Sequence, residues 1–361
     1  DYLELLREPL TPAASDRLKA AHFADPRAAG RRLQSISGDP ATQEALAQCL
    51  PVLLPALANA ASPDAALVSF ERFAHSAAQP AELFVYLAAN PRQVEMLITL
   101  FSGSQFLTEI LLRHPDYFRL FSERRELSQL KTAAQLYAEA QKAVSPFVEP
   151  LEQLNALRRL QRWELLRVGA ADFFGLLDLP KVTLQLSRLA DALVRQCLTI
   201  AAWRAGRAAA GFMVIALGKL GGEELNYSSD IDLLFITQDN PGDYQILSQH
   251  LIEALVRATP EGFLYRVDMR LRPWGGVGPL VSSLDGYLGY LRQHARLWEK
   301  QALLKARVIA GDEALGAAFL REVQPFIFNA TPDEVRASVA SMKQRTESNL
   351  RARGRTWGEV K

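Results

Sequence analysis

Two aspartates stand one residue apart in an otherwise apolar stretch of the chain, ALGKLGGEELNYSSDIDLLFI (216–236). Burying an unpaired carboxylate is costly, so Asp230 and Asp232 need a partner that neutralises them. Strand side chains alternate between faces, so this spacing puts both carboxylates on one side, with Cα atoms roughly 6.5–7 Å apart. Two carboxylates so placed can converge on one or two divalent cations. The pair therefore predicts a metal site, and Mg²⁺ is the oxygen-seeking ion that shares its shell with phosphates.

A third aspartate stands in RVDMRLRP, a strand candidate further along the chain. In a strand every second residue lies on the same face, and in this segment one face would carry Arg266, Asp268, Arg270 and Arg272. If this strand lies beside that of the first pair, Asp268 becomes a third metal ligand. The arginines would then hold phosphate oxygens by forked contacts.

A glycine-rich turn, GKLGG, follows the apolar strand that precedes the aspartate pair. It lacks the G-x-x-x-x-G-K-[ST] spacing of a P-loop. Gly218, Gly221 and Gly222 would let backbone amides approach a phosphate closely. The charge and hydroxyl donors near this turn are Lys219, Ser228 and Ser229. Together with the aspartates, these residues predict a metal-dependent site that moves a nucleotidyl or phosphoryl group.

Structural interpretations of the same residues stay open. An Asp-x-Asp pair can cap a strand or pair with nearby arginines, and GKLGG taken alone is typical of an ordinary tight turn. The arginines of 266–272 can form ion pairs with the three aspartates, and both roles can coexist. The histidines show no ligand spacing, and Cys49 and Cys197 are predicted to be core thiols rather than nucleophiles.

The elements that must position these residues form a small α/β unit. GFMVIALG, DIDLLFIT and GFLYRVDMRLRP are the strand candidates, and DYQILSQHLIEALVRAT between the last two has helical spacing. Helices flank the unit, including one predicted over RLWEKQALLKARVIAG. The fold class is therefore α+β and mostly helical. The predicted segments are a helical region at 1–150, long helices at 151–210, the catalytic unit at 211–312 and a truncated helical segment at 313–361.

The helices before residue 150 are short. AELFVYLAAN, RQVEMLITLF and SQFLTEILLRH are apolar-periodic segments broken near Pro91, Gly103 and Pro115. Ser104 precedes the third segment as an N-cap. No strict repeat period is visible, which indicates a compact helical array rather than a solenoid.

Composition narrows the class of protein. The 361 residues have room for about two or three domains, and 41 basic against 40 acidic side chains leave a net charge of +1. This balance argues against a protein that coats nucleic acid by bulk charge. Apolar runs are too short to span a bilayer, no signal peptide is visible, and two cysteines without metal-ligand spacing indicate a reduced, cytoplasmic setting. The chain opens at Asp1 without a methionine, which suggests a trimmed or internal fragment.

Three long motifs carry a specific resemblance. They are GKLGGEELNYSSDIDLLF, YRVDMRLRPWGGVGPLV and WEKQALLKARVIAGD, in that order. They closely resemble the adenylyltransferase/adenylyl-removing enzymes of glutamine synthetase, which are polymerase-β-like nucleotidyltransferases with two related halves. The resemblance covers about residues 211–312, and the upstream helices are similar in a looser way.

The resemblance implies a reaction and its residues. ELNYSSDIDL, VGPLV and WEKQALLKAR look more like the amino-terminal half, which removes AMP from glutamine synthetase by phosphorolysis and releases ADP in the regulation of nitrogen assimilation. By resemblance, Asp230, Asp232 and Asp268 hold magnesium, while the Gly218–Gly222 turn and Ser229 meet the phosphates. Arg270 and Arg272 would neutralise phosphate oxygens. The implied partners are glutamine synthetase, nucleotide and phosphate, and a PII-type signalling protein in the full-length enzyme.

Alternatives to this reaction remain. They are the half that transfers AMP from ATP, a nucleic-acid nucleotidyltransferase, and a fold retained without catalysis as a docking module. The near-zero net charge argues against the second, and the three aspartates against the third. Only one copy of the motif set is present, and the chain stops at RTWGEVK, where the family continues into a Gly-rich segment with an acidic residue. If that segment helps to close the site, we expect poor activity.

Overall fold

The computed structural model describes residues 2–123, 127–352 and 354. Helices dominate it, and its strands form one mixed sheet, which confirms the predicted α+β, mostly helical class. The chain divides into two compact units, residues 1–129 with 162–178, and residues 130–161 with 179–361. The four predicted segment boundaries stay a prediction. RTWGEVK, at the end of the predicted 313–361 segment, lies outside the described residues.

The first unit is helical. After a 3₁₀ turn at Leu3–Leu6, its helices are α1 (Pro12–Ala20), α2 (Pro26–Ser35), α3 (Pro40–Ala58), α4 (Pro63–Ser76), α5 (Pro80–Ala89), α6 (Pro91–Gly103), α7 (Gln105–Arg113) and α8 (Asp116–Glu123). Proline opens α1 to α6, because its fixed φ suits the first helical position and its missing N–H costs nothing there. Buried phenylalanines hold the unit together, with Phe73 packed edge-on against Phe101 and Phe118.

The predicted breaks between these helices are confirmed. Pro91 opens α6, Gly103 closes it, and Pro115 lies between α7 and α8. Ser104 caps α7 as predicted, its hydroxyl accepting from the backbone N–H of Leu107 at 3.3 Å.

The second unit carries the sheet and the longer helices. In chain order the remaining helices are α9 (Ala133–Val144), α10 (Pro150–Phe173, of which 150–161 belong to this unit), α11 (Leu179–Ala205), α12 (Gly218–Gly221), α13 (Gln245–Val256), α14 (Leu284–Gln293), α15 (Leu297–Ala302), α16 (Glu313–Phe328) and α17 (Pro332–Ala352). The helices predicted at 151–210 and between the second and third strands correspond to α10, α11 and α13. None of the described helices is long and apolar enough to cross a membrane.

The sheet positions the candidate site. Its strands are β1 (Phe212–Leu217), β2 (Ile231–Thr237), β3 (Val267–Asp268), β4 (Val281–Ser283) and β5 (Arg307–Gly311). The order is β3-β2-β1-β5: β1 runs antiparallel to β2 and β5, whereas β3 and β4 both pair parallel with β2, at opposite ends of it. All six residues of β1 are buried, so the sheet core is covered on both faces.

Each face of the sheet has its own apolar cover. On one face, Met213 and Ile215 of β1 and Leu234 and Ile236 of β2 belong to a core cluster that includes side chains of α14 and α16. On the other face, the Phe212 ring packs 5.5 Å from Phe235 and 5.6 Å from Tyr244. These contacts fix β1 and β2, and with them the start of β2, where the aspartate pair lies.

Two sequence-based expectations are wrong in detail. RLWEKQALLKARVIAG is not one helix: α15 ends at Ala302, a 3₁₀ turn follows, and Arg307–Gly311 forms β5. The β1 edge, almost a hundred residues earlier, supplies the hydrogen-bonding partner that makes this segment a strand. Strand β4 was not anticipated, and the third predicted strand is only two residues long.

Cys49 and Cys197 are buried core thiols as expected, and burial raises the pKa of each to about 12.

Candidate active site

The pairing of β2 with β3 brings two of the predicted aspartates together. Asp232 and Asp268 are register partners on these parallel strands, and the backbone N–H of Ile231 donates to the carbonyl of Arg266 at 2.9 Å. Asp230 stands immediately before β2. The condition for Asp268 to join the aspartate pair, that its strand lies beside theirs, is therefore confirmed. The three carboxylate-bearing residues share one corner of the sheet.

Two of the three carboxylates are paired with arginines. The Asp230 carboxylate accepts from Nε of Arg266 at 2.5 Å, and the same guanidinium donates to the Ser228 carbonyl at 2.6 Å. The Asp268 carboxylate accepts from Nε of Arg270 at 2.8 Å and from the Arg270 backbone N–H at 2.8 Å. Hydrogen bonds from Arg270 hold the pKa of Asp268 below its ordinary value. The ion-pair interpretation is confirmed for Arg266 with Asp230 and for Arg270 with Asp268, but not for Arg272 or Asp232.

The third carboxylate, that of Asp232, has a different environment. It is half-buried, and no residue in the described part of the chain donates a hydrogen bond to it. Burial raises its pKa, and repulsion from Asp268 and Asp230 raises it further. An anion in this position is stabilised by a nearby cation, since opposite charge favours the ionised carboxylate.

Whether these residues suit Mg²⁺ can be tested on their chemistry and placement. Carboxylate oxygens are the donors that Mg²⁺ prefers, and the unbonded Asp232 carboxylate next to two further aspartates fits that preference. As the side chains lie, however, no group of three or more His, Cys, Asp or Glu residues in the described ranges is arranged to hold a metal ion. Asp230 and Asp268 face their arginines instead. The side chains of Arg266 and Arg270 are 60% and 81% exposed, so both can turn away from the carboxylates.

Gly218 lies directly against the Asp232 carboxylate. Its φ is +55°, in the left-handed region that favours glycine, and an ideal Cβ there would come 3.2 Å from Cγ of Asp232 and closer still to Oδ2. Gly218 is the first residue of α12, and a side chain there would displace a candidate metal ligand. Lys219 follows in the same short helix and adds positive charge near Asp232.

Gly221 and Gly222 have structural neighbours that account for their lack of a side chain. A Cβ on the buried Gly221 would clash with the backbone carbonyl of Lys305 and lie 2.7 Å from that of Ala216. A Cβ on Gly222 would lie 2.9 Å from the Lys305 side chain. Close backbone packing against Lys305 thus requires Gly221, whereas the neighbour of Gly222 is a flexible side chain that can move aside. Their predicted phosphate contacts stay predictions.

The predicted serines lie in the turn that leads into β2. Ser229 hydroxyl oxygen accepts from the backbone N–H of Asn226 at 3.3 Å, which helps to shape the turn, and Ser228 is exposed. A groove of about 590 Å³ lies beside the turn, and Lys219 and Asn226 are among the residues that line it. The serines are close to the aspartates in the chain, and their phosphate role stays a prediction.

Arg272 has an unexpected position. Its Nη1 and Nη2 donate to the carbonyls of Met269 and Gly276, each at 2.9 Å, and its Nε donates to the carbonyl of Gly278 at 3.1 Å. The strand ends at Asp268, so the alternation of faces that placed Arg272 with the charged side does not extend to it. In the structure Arg272 closes the loop of residues 269–278, and its phosphate contact stays a prediction.

Sequence reasoning missed the residues that hold the glycine turn. The Arg307 guanidinium donates to the Leu220 carbonyl at 2.8 Å and pairs with Asp191 of α11 at 2.5 Å. Burial raises the pKa of Asp191, against the opposing effect of Arg307. Lys305 pairs with Glu224 at 2.6 Å. Both basic residues belong to the WEKQALLKARVIAGD motif, but the motif alone does not show that they hold the glycine turn.

The arrangement has a definite chemical capacity. The half-buried carboxylate of Asp232, which accepts no hydrogen bond from the described residues, lies near those of Asp230 and Asp268 at one corner of the sheet. The exposed guanidinium groups of Arg266 and Arg270 lie beside them. Carboxylates can receive a divalent cation, and guanidinium groups released from them can bind phosphate oxygens in forked geometry. Such a corner can hold a metal–phosphate complex.

Comparison with known proteins agrees with this chemistry. A family model described as glutamate-ammonia ligase adenylyltransferase matches residues 94–322, a range that contains every candidate site residue. Proteins named bifunctional glutamine synthetase adenylyltransferase/adenylyl-removing enzyme are similar to the chain. The one from Nitrosococcus oceani is 33% identical over 88% of this chain and 36% of its own length. Those from Streptomyces avermitilis and Pseudomonas aeruginosa are 34% and 32% identical over 93% and 99% of this chain. The chain spans 34% and 40% of the length of these last two relatives.

Proposed function

The chain belongs to the glutamate-ammonia ligase adenylyltransferase family, and on that premise we propose that it removes AMP from adenylylated glutamine synthetase by magnesium-dependent phosphorolysis. The observation that carries the proposal is the register pairing of Asp232 with Asp268 beside Gly218. It sets carboxylates, a glycine turn and guanidinium groups around one corner. A transfer of an adenylyl group needs these parts in one place.

The direction of the reaction rests on the resemblance of particular motifs. ELNYSSDIDL, VGPLV and WEKQALLKAR look more like the adenylyl-removing half of the family than like the transferring half. In the proposed reaction an oxygen of inorganic phosphate attacks the α-phosphorus of the tyrosyl-AMP group. The bond from phosphorus to the tyrosyl oxygen breaks, the tyrosine takes a proton from solvent, and ADP leaves. Orthophosphate is already a competent nucleophile at neutral pH, so the reaction needs no general base.

The side chains at the corner have separate tasks in this proposal. Asp230, Asp232 and Asp268 would hold the magnesium, which supplies charge stabilisation at the α-phosphate and the leaving oxygen. Arg266 and Arg270, once turned away from their carboxylates, would bind phosphate oxygens and orient the attacking phosphate. Gly218 leaves room for the Asp232 carboxylate, because a Cβ at this residue would overlap with it.

The partners follow from the same proposal. Adenylylated glutamine synthetase would be the protein substrate, and phosphate and ADP the small molecules. A PII-type signalling protein would act on the full-length enzyme, of which this chain would be one part.

The first experiment is the intact mass of adenylylated glutamine synthetase subunits after incubation with this chain, Mg²⁺ and phosphate. Loss of one adenylyl group that depends on phosphate would support the removing activity. Gain of an adenylyl group by unmodified synthetase with ATP, and no loss with phosphate, would overturn the assigned direction.

A variant pair tests the aspartate assignment in the same assay. Asp230→Asn should abolish turnover while the chain stays folded, because the amide oxygen can still accept from Arg266 and an exposed ion pair contributes little to stability. Asp239→Asn, an exposed aspartate beyond the other end of β2, is the matched control and should keep wild-type turnover. Wild-type turnover in Asp230→Asn would show that the metal assignment is wrong.

A further inference from the structure

The loop of residues 269–278, which follows the Asp268 strand, presents an unusual tryptophan. Trp274 has φ +63°, in the left-handed region that large L residues rarely adopt. Its side chain is nevertheless 54% exposed. Backbone strain at a bulky residue persists only where the surroundings enforce it, and it clusters at functional sites.

Two sets of contacts enforce this conformation. From inside the loop, Arg272 binds the carbonyls of Met269, Gly276 and Gly278. From α14, Tyr290 packs its ring against the indole, and its hydroxyl donates to the Glu299 carboxylate at 2.5 Å.

The indole ring is also held in place. Its centroid lies 5.1 Å from that of Tyr290 at an interplanar angle of 71°, and 4.8 Å from that of His294 at 47°. Edge-to-face and tilted contacts of this kind stabilise aromatic pairs. Trp274 is therefore an exposed aromatic surface that is held in place on two sides.

The loop brings the backbone next to Trp274 back to that of Arg270. An ideal Cβ on Gly275, the residue after Trp274, would lie 3.7 Å from the backbone carbonyl of Arg270. Arg270 is the residue that pairs with Asp268. The tryptophan is thus separated by one residue from a segment that touches the proposed phosphate site.

We propose that Trp274 is the stacking platform for the adenine base of the nucleotide, a base-binding subsite beside the aspartate corner. The inference rests on the proposed function, because it assumes that the corner handles the phosphate of an adenylyl group. The base of that group must then lie near the corner, and a fixed aromatic face offers the contact that every nucleobase accepts.

The test compares a ligand with a base and a ligand without one. Calorimetric affinities of the full chain for ADP and for inorganic pyrophosphate, both with Mg²⁺, are measured for the wild type, Trp274→Ala and Trp274→Phe. Stacking on one aromatic ring predicts a loss of ADP affinity of at least about fivefold in Trp274→Ala. Pyrophosphate affinity should stay unchanged, and Trp274→Phe should retain most of the ADP affinity.

Control variants keep the test decisive. Trp203→Ala removes another exposed tryptophan of the same unit, 66% exposed on α11, and should leave both affinities unchanged. Trp274→Gly also removes the ring but suits a positive φ, so it replaces Trp274→Ala if that variant unfolds.

Each outcome decides between the claims. If ADP affinity is unchanged in Trp274→Ala or Trp274→Gly while the wild type binds ADP, the platform is overturned and the proposed function stands. If these variants bind ADP normally but lose affinity for adenylylated glutamine synthetase, Trp274 contacts protein and the platform is again overturned. If the wild type binds neither ligand, the proposed function fails and the platform with it.

Discussion

Replacing Gly218 by alanine tests whether the position of the Asp232 carboxylate controls the proposed reaction. Two effects combine at this residue. Its φ of +55° is unfavourable for alanine, and an added Cβ would lie 3.2 Å from Cγ of Asp232 and overlap with Oδ2. The first effect destabilises the fold, whereas the second moves a side chain that the proposed reaction needs.

The two effects have separable magnitudes. A non-glycine residue in the left-handed region costs about 1–2 kcal/mol of folding free energy. To restore ordinary van der Waals contact with the new Cβ, the Asp232 carboxylate has to move by about 1 Å. A displacement of about 1 Å in a positioned group can reduce turnover by about 100-fold. We therefore expect Gly218→Ala to lose about two orders of magnitude in turnover and only a small part of its stability.

Gly206→Ala is the matched control, because Gly206 also has a positive φ of +62° but no atom within 4 Å of an added Cβ. It should show the stability loss without the loss of turnover. The assay is the initial rate of phosphate-dependent adenylyl loss from glutamine synthetase, with the urea midpoint of each variant measured in parallel. Equal turnover in the two variants would refute the claim that Gly218 positions Asp232.

Two further predictions concern the elements around the corner. Arg307→Met leaves the Asp191 carboxylate buried without its partner and should lower the free energy of unfolding by about 3 kcal/mol, measured by urea unfolding. Arg321→Met, an exposed control, should change it little, and a stability of Arg307→Met equal to that control would contradict the prediction. Asp312 caps α16, and backbone hydrogen bonds from Leu315 and Gly211 hold its pKa below the ordinary value. The ionised Asp312 carboxylate therefore stabilises the fold at neutral pH. This stabilisation is lost as the pH falls from the ordinary pKa range of an aspartate through the lowered pKa of Asp312. Asp312→Ala should cost about 1 kcal/mol at pH 7, and the difference in urea midpoint from the wild type should shrink on acidification; a constant difference would exclude the carboxylate as its cause.

The aspartate corner was predictable because it depends on local geometry. The alternation of side chains along a strand put Asp230 and Asp232 on one side and assigned Asp268 to the same group of residues. Only the pairing of β2 with β3 had to be supplied by the fold, and the structure supplies it with Asp232 opposite Asp268. The Ser104 cap and the helix breaks near Pro91, Gly103 and Pro115 were predictable for the same reason.

What escaped prediction depends on contacts between distant segments. Residues 307–311 become a strand because they pair with the edge of β1. The sequence just before them has helical spacing, so the pattern of the whole segment predicts a helix. The alternation rule failed at Arg272, because β3 ends at Asp268 and the chain turns back on itself. The glycine cluster was visible, but the reason for Gly221 is the backbone of Lys305, more than eighty residues later.

The ion pairs of Arg266 with Asp230 and of Arg270 with Asp268 have a consequence for the order in which ligands bind. Each pair ties up one group that would bind a cation and one that would bind an anion. A cation that takes the carboxylates frees the guanidinium groups, and an anion that takes the guanidinium groups frees the carboxylates. Metal and phosphate would therefore each strengthen the binding of the other by the same factor. The aspartate corner would therefore bind the metal alone or phosphate alone weakly, and would bind the two together more tightly.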